Sequence, residues 1–199
     1  MFQSGDLIPR SFFLRSPAEV ARDLLGQHLC REDIVLRITE VEAYGGPSNS
    51  ASHARHGRTP RNAPMWEEGG RAYIYFCYGC HHMLNIVTGS EGEGAAVLIR
   101  ACEPLEGLAR ILERRGAPEG PTLLAGPGKV AQALAMDRTF NRHPLFRAGG
   151  LELRRGKAPE RILTGPRVGI DFANLQDLQE NLRFAAGGTP CVTRIRELG

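Results

Sequence analysis

The sequence predicts an α+β fold: one mainly antiparallel, curved sheet with flanking helices and a protruding β-hairpin. Three observations predict it. Segments rich in β-branched and aromatic residues cluster at 34–44, 72–78, 83–88 and 95–102 instead of alternating strictly with helices. Gly79 allows a tight turn between the second and third of these segments, so they read as a hairpin. Only a few stretches carry helical periodicity. The chain of 199 residues suits one well-packed domain, 1–199, with no internal repeat and no low-complexity linker.

The elements follow in order. Ser16-Pro17-Ala18-Glu19 is a capping box with proline at the first helical position; the helix it opens carries Val20, Ala21, Leu24 and Leu25 on one face and stops near Gly26. The strand 34–44 (IVLRITEVEAY) comes next, then the hairpin and the strand 95–102. Pro104 is expected to open a helix through Arg115, with Leu105, Leu108, Ile111 and Leu112 as its apolar stripe and Gly116 as its stop. A further helix follows Gly126-Pro127-Gly128 and runs to about Met136. Short strands are expected near 151–154, 167–171, 182–186 and 191–196.

Composition narrows the class. No stretch approaches the ~20 apolar residues of a membrane helix. Met1 to Phe13 lacks an apolar signal region, which points to a cytoplasmic protein, in the cytosol or nucleoid if bacterial. The net charge of +3 names no partner, but 23 of the 25 basic residues are Arg, with Lys129 and Lys157 the exceptions. That bias fits bidentate phosphate contact, and equally a GC-rich genome or a heat-loving host. Five cysteines, an odd count without an export signal, read as reduced thiols. Cys77-Tyr-Gly-Cys80-His81 has the spacing of a haem-attachment motif and could be shared with His53 and His56 around zinc. Its place inside an aromatic hairpin favours coincidence, so no metal and no cofactor is assigned.

Several side chains can carry chemistry. Period two puts Ile34, Leu36, Ile38, Glu40, Glu42 and Tyr44 on one face of their strand, the two carboxylates roughly 7 Å apart. If that face looks inward, a poorly solvated carboxylate suits a general base; if the strand end emerges into water, both glutamates are merely solvated. Arg100, inside the apolar run AAVLIRAC, needs a partner, and Glu40 and Glu42 are candidates. The 48–62 loop holds His53, Arg55, His56, Arg58 and Arg61 with no acid, which fits phosphate binding or a plain solvated loop. Tyr73 and Tyr75 share one strand face, whereas Tyr78 points to the other beside the turn, poorly explained by packing and suited to wedging between bases. Asn85 among apolar neighbours could read a base edge or be a satisfied structural amide.

In order along the chain these residues carry a resemblance. Glu40-Val-Glu42-Ala-Tyr44-Gly-Gly-Pro47, Ala51-Ser-His53, Thr59-Pro-Arg61-Asn62, Tyr73-Ile-Tyr75-Phe-Cys-Tyr78-Gly79 and Met83-Leu-Asn85-Ile86 are similar to the alkyladenine (3-methyladenine) DNA glycosylase family, the vertebrate enzymes included. Val97-Leu-Ile-Arg100-Ala101, Glu103-Pro-Leu-Glu-Gly107, Gly126-Pro-Gly-Lys129, Gln132-Ala-Leu134 and Arg167-Val-Gly169 continue it, over roughly residues 16 to 196.

The resemblance implies a monofunctional glycosylase that flips 3-methyladenine, 7-methylguanine, hypoxanthine or ethenoadenine from duplex DNA and hydrolyses the N-glycosidic bond, starting base excision repair. By it, Glu42 is the general base, and Arg100 and the backbone carbonyl of Val168 help hold the attacking water. Tyr44, His53 and Tyr75 wall the flipped base; Asn85 helps exclude guanine; Tyr78 enters the minor groove, with Arg58 and Arg61 on phosphates. Glu40 becomes a structural acid. The implied partner is double-stranded DNA with damaged purines, engaged by a monomer away from any membrane. Departures lie at the hairpin tip, where Cys77, Cys80, His81 and His82 replace bulkier residues of the family. A pure nucleic-acid-binding module and a paired-carboxylate glycoside hydrolase are the competing readings; the first has no use for Glu42 with Arg100, the second none for a Tyr78 wedge.

Overall fold

A computed structural model describes residues 5–77 and 79–199. Its strands are β1 (His28–Arg31), β2 (Ile34–Tyr44), β3 (Ala72–Cys77), β4 (His81–Thr88), β5 (Ala95–Glu106), β6 (Leu151–Arg154), β7 (Ile162–Gly165) and β8 (Arg183–Ala186). The helices are α1 (Pro17–Leu24), α2 (Leu108–Arg115), α3 (Pro127–Ala133) and α4 (Leu175–Gln179). All strands join one eight-stranded sheet in the order β3-β4-β5-β2-β1-β6, with β8 also on β2 and β7 on β8, and every pairing is antiparallel. The α+β class with a curled antiparallel sheet is therefore present.

β2 is the central strand, and one of its edges changes partner partway along. Residues 34–37 pair with β1, whereas Glu40–Glu42 pair with β8. The other edge stays on β5, with register shifts on both sides of Glu40. Both glutamates thus sit where the sheet splits, held between β5 and β8.

The main core lies on the helical side. α1 is capped by the Ser16–Glu19 box and buries Val20, Ala21 and Leu24, each worth up to about 1.5–3 kcal/mol for the larger side chains. Ala72 and Ile74 of β3 join that core, while Tyr73 joins a smaller cluster with Ala54, Met65, Val87 and Ala96, against which Tyr44, Trp66 and Tyr75 pack. The period-two alternation of β3 therefore hands its tyrosines to a separate layer, and that layer becomes the floor of the site.

Four expectations need correction. Pro104 opens no helix: β5 continues through it, pairing Pro104 with Leu36 beside a register shift, where a proline without N–H is tolerated. The chain turns at Gly107, whose φ of +77° is left-handed, and α2 begins only at Leu108. α3 ends at Ala133, three residues before Met136. Residues 167–171 and 191–196 form no strand; the nearest elements are β7 and a 3-10 turn at Ile195–Glu197. β1 and α4, both short, carry too little periodicity to be read from sequence. No helix among the described residues is long and apolar enough to cross a membrane.

Candidate active site

Glu40 and Glu42 are both fully buried, which removes the solvated reading. Arg100, reaching from β5, joins them: its Nε donates to Glu40 Oε1 at 2.9 Å, and its Nη1 lies 3.3 Å from Glu42 Oε1. Burial alone would lower the proton affinity of Arg100, but the carboxylates of Glu42 and then Glu40 outweigh it and hold the group above its ordinary value.

The two carboxylates are satisfied differently. Oε1 of Glu40 accepts from Arg100 Nε, from Arg183 Nε at 2.8 Å and from the Thr193 hydroxyl at 2.6 Å, while Oε2 accepts the Thr193 amide at 2.6 Å. Four donors thus converge on Glu40, three of them on Oε1. At Glu42, Oε1 accepts the Val168 amide at 2.7 Å beside the Arg100 contact, and Oε2 accepts the Tyr44 hydroxyl at 2.8 Å. Among the described residues, that leaves one acceptor position, on Oε2.

Tyr44, Arg100 and Val168, the three residues around Glu42, all line a cavity of about 540 Å³. Glu42 itself adds no surface to its wall, so a water reaches the open position only past these neighbours. Burial, then the adjacent Glu42, pushes the Tyr44 phenol well above its usual pKa, so it keeps the proton it donates. The Arg167 guanidinium lies 5.1 Å from the Tyr44 ring centre and donates to the Ala43 carbonyl (3.1 Å), Asn49 Oδ1 (3.0 Å) and the Asp177 carbonyl (3.1 Å). It thereby ties the end of β2 and the 49–50 loop to α4.

The aromatic wall comes from β3 and the 48–62 loop. The His53 ring stands edge-on to Tyr75 with centroids 4.5 Å apart, and its Nδ1 is 2.9 Å from the Tyr73 hydroxyl. Burial first, then Arg61 and Arg55, pushes the His53 pKa down to about 4, so the ring is neutral at pH 7. Burial pushes Tyr73 up to about 12. Asn62 organises the loop: its side chain donates to the His53 and Gly57 carbonyls and accepts from the Thr59 amide and the Trp66 indole. Asn85 is buried on the cavity wall and donates to the carbonyl of Tyr73, its cross-strand partner.

The structure thus brings together Glu42, Arg100, Val168, Tyr44, His53, Tyr75 and Asn85 around one space. Of the two arginines expected on phosphates, Arg61 lines the cavity, whereas Arg58 is exposed and off its wall. Arg115 and Lys129 join Arg61 and Arg100 as lining cations, and among the described residues no lining residue is an acid. Tyr78 lies outside the described residues. Cys77 and Cys80 are free thiols, and among the described residues no three His, Cys, Asp or Glu groups could hold a metal ion. His82 stacks toward Phe76 with centroids 5.0 Å apart, while His81 lines the cavity against Gly128.

Sequence reasoning assigned no role to Arg167, Asn62, Arg183 or Thr193. Arg167 and Asn62 stand inside quoted motifs and were legible as motif members; Arg183 and Thr193 had no local signal.

Comparison with known proteins adds an independent observation. A family model described as methylpurine-DNA glycosylase matches residues 11–190. A protein of Nitrosococcus oceani named as a 3-methyladenine DNA glycosylase is 54% identical over 188 residues, covering 94% of each chain. The DNA-3-methyladenine glycosylase of Arabidopsis thaliana is 50% identical over 189 residues, 94% of this chain and 74% of its own. A relative from Methanocella arvoryzae with the same kind of name is 40% identical over 193 residues.

Proposed function

The chain belongs to the methylpurine-DNA glycosylase family, and on that premise we propose that it flips alkylated or deaminated purines out of duplex DNA and hydrolyses their N-glycosidic bond with water. It is a DNA repair hydrolase of N-glycosyl bonds. The substrates in view are 3-methyladenine, 7-methylguanine, hypoxanthine and ethenoadenine. The observation that carries the reading is Glu42, held by Arg100 and Val168 behind an aromatic, acid-free cavity with one acceptor position left open.

In the proposed reaction the flipped purine stacks between Tyr44 on one side and His53 with Tyr75 on the other. Tyr78 fills the gap left in the duplex, and Arg58 and Arg61 contact phosphates. A few kcal/mol of unstacking is roughly offset by the wedge and the aromatic pocket. Asn85 stands against the 2-amino group of guanine. The C1′–N bond breaks as the sugar becomes oxocarbenium-like, and the nearby carboxylate of Glu42 stabilises that charge. Water, held by Arg100 and the Val168 carbonyl, gives its proton to Oε2 of Glu42 as its oxygen bonds to C1′. An alkylated purine takes the bond's electron pair and leaves neutral. The neutral His53 ring has no spare proton to lend a leaving base, and an alkylated purine, already cationic, needs none. The enzyme acts as a monomer on one duplex.

A duplex with a single 3-methyladenine or 7-methylguanine and an end label tests this. The expected product is an intact strand with an abasic site, cleaved only after alkali and formed equally well with a chelator present. Tight binding without an abasic site would turn the reading to a binding module; release of sugar from a glycoside with none from DNA would turn it to a glycoside hydrolase.

A further inference from the structure

Tyr44 is implicated above only as a wall for the base, a role that needs its ring and not its hydroxyl. The hydroxyl nevertheless has a definite partner, Glu42 Oε2 at 2.8 Å. Among the described residues it is one of two hydrogen-bond donors on that carboxylate, the other being the Val168 amide on the opposite oxygen at 2.7 Å. Two donors on different oxygens fix the carboxylate plane as well as its position. With Oε1 also beside Arg100, the direction of the open position on Oε2 is set by where the phenol sits.

The phenol is itself fixed from outside the site. Arg167 holds the ring from one side, and its guanidinium is fully buried, with hydrogen bonds to Ala43, Asn49 and Asp177. We propose that Tyr44 is a positioning residue for the general base: its hydroxyl orients Glu42, and the same ring that stacks on the flipped purine links an occupied pocket to a correctly set carboxylate. The inference rests on the assignment of Glu42 as base. The raised proton affinity of the phenol, from burial and then Glu42, supports it by keeping the hydroxyl a donor.

Tyr44→Phe separates the two roles, since it keeps the ring and removes the hydroxyl. The experiment measures lesion-duplex affinity, single-turnover excision and thermal melting for wild type, Tyr44→Phe, Glu42→Gln and the double variant. The expected result is affinity within about twofold of wild type and excision slower by about ten- to a hundredfold, the range for one hydrogen bond to an ionised acceptor. In the Glu42→Gln background the same change should cost little more, because its route to the reaction is already cut. Tyr44→Leu, which loses the ring as well, should weaken binding too. Wild-type excision with Tyr44→Phe keeping pace overturns this inference alone, as does an equal further loss in the double variant. A wild-type protein that excises nothing overturns the function and this inference with it.

Discussion

Glu40 and Glu42 are two residues apart on one strand, both fully buried and both beside Arg100, yet their surroundings do opposite things. Around Glu40 donors converge from three parts of the chain. Arg183 from β8 and Thr193 from the C-terminal segment complete four donors, and neither of these residues lines the cavity. Around Glu42 there are, among the described residues, two hydrogen-bond donors and the Arg100 ion pair, and the three residues that contact it all belong to the cavity wall. A buried carboxylate tied by four donors, most of them off the cavity wall, is a brace between strands; one whose partners all line the cavity can meet a water that enters it. The difference lies in how many donors each holds and in which partners face the cavity, not in residue type or burial.

If that is right, the largest structural penalty falls on Glu40. Glu40→Gln strips the charge from between two buried arginines, and breaking such a network costs about 3–5 kcal/mol. The expected outcome is a large drop in the urea midpoint, against a clearly smaller one for Glu42→Gln. Equal midpoints for the two variants would erase the distinction. A finer cut is Thr193→Val, which keeps the shape of the side chain and the amide bond to Glu40 but removes the hydroxyl from between Glu40, Arg100 and Arg183. It should cost about 1–3 kcal/mol of stability, with excision falling far less than in Tyr44→Phe. A larger catalytic than structural effect would move Glu40 into the chemistry.

The smallest effect concerns His53, on the other side of the pocket. Its pKa is pushed down to about 4, by burial first and then by Arg61 and Arg55. An unfolded histidine takes its proton near 6.5. As pH falls from about 6.5 toward 4, the unfolded chain therefore binds a proton that the folded chain refuses, and stability is lost across that window; above it the contribution is constant. Ring resonances followed by NMR should show His53 titrating near 4, and lesion affinity should not step through His53 protonation between pH 5 and 8. A ring titrating near 6.5 would mean the pocket holds a cation at mildly acidic pH.

Much of this site was legible in the sequence, for identifiable reasons. Period two placed Glu40, Glu42 and Tyr44 together, and the shared contact with Arg100 agrees. An arginine inside an apolar strand pointed to the carboxylates it meets. The ranking of the two glutamates by residue reading alone was out of reach, because apart from the Tyr44 hydroxyl their distinguishing donors come from 126 to 153 residues away in the chain. The same long-range donors explain two misread strands. Around Val168 and Thr193 the composition suits a ladder, but those amides go to Glu42 and Glu40 instead of to a neighbouring strand. Pro104 misled in the opposite direction: its usual place at a helix start lost to an irregular strand pairing with Leu36.

The most direct test is single-turnover excision by Glu42→Gln on a duplex holding one alkylated purine, with binding measured in parallel. The amide keeps the shape and removes the proton acceptor. Lesion binding should persist while the excision rate falls by at least the ~10²–10⁴ of general base catalysis. A folded Glu42→Gln enzyme that excises at close to the wild-type rate would contradict the assignment and return Glu40 to consideration as the base.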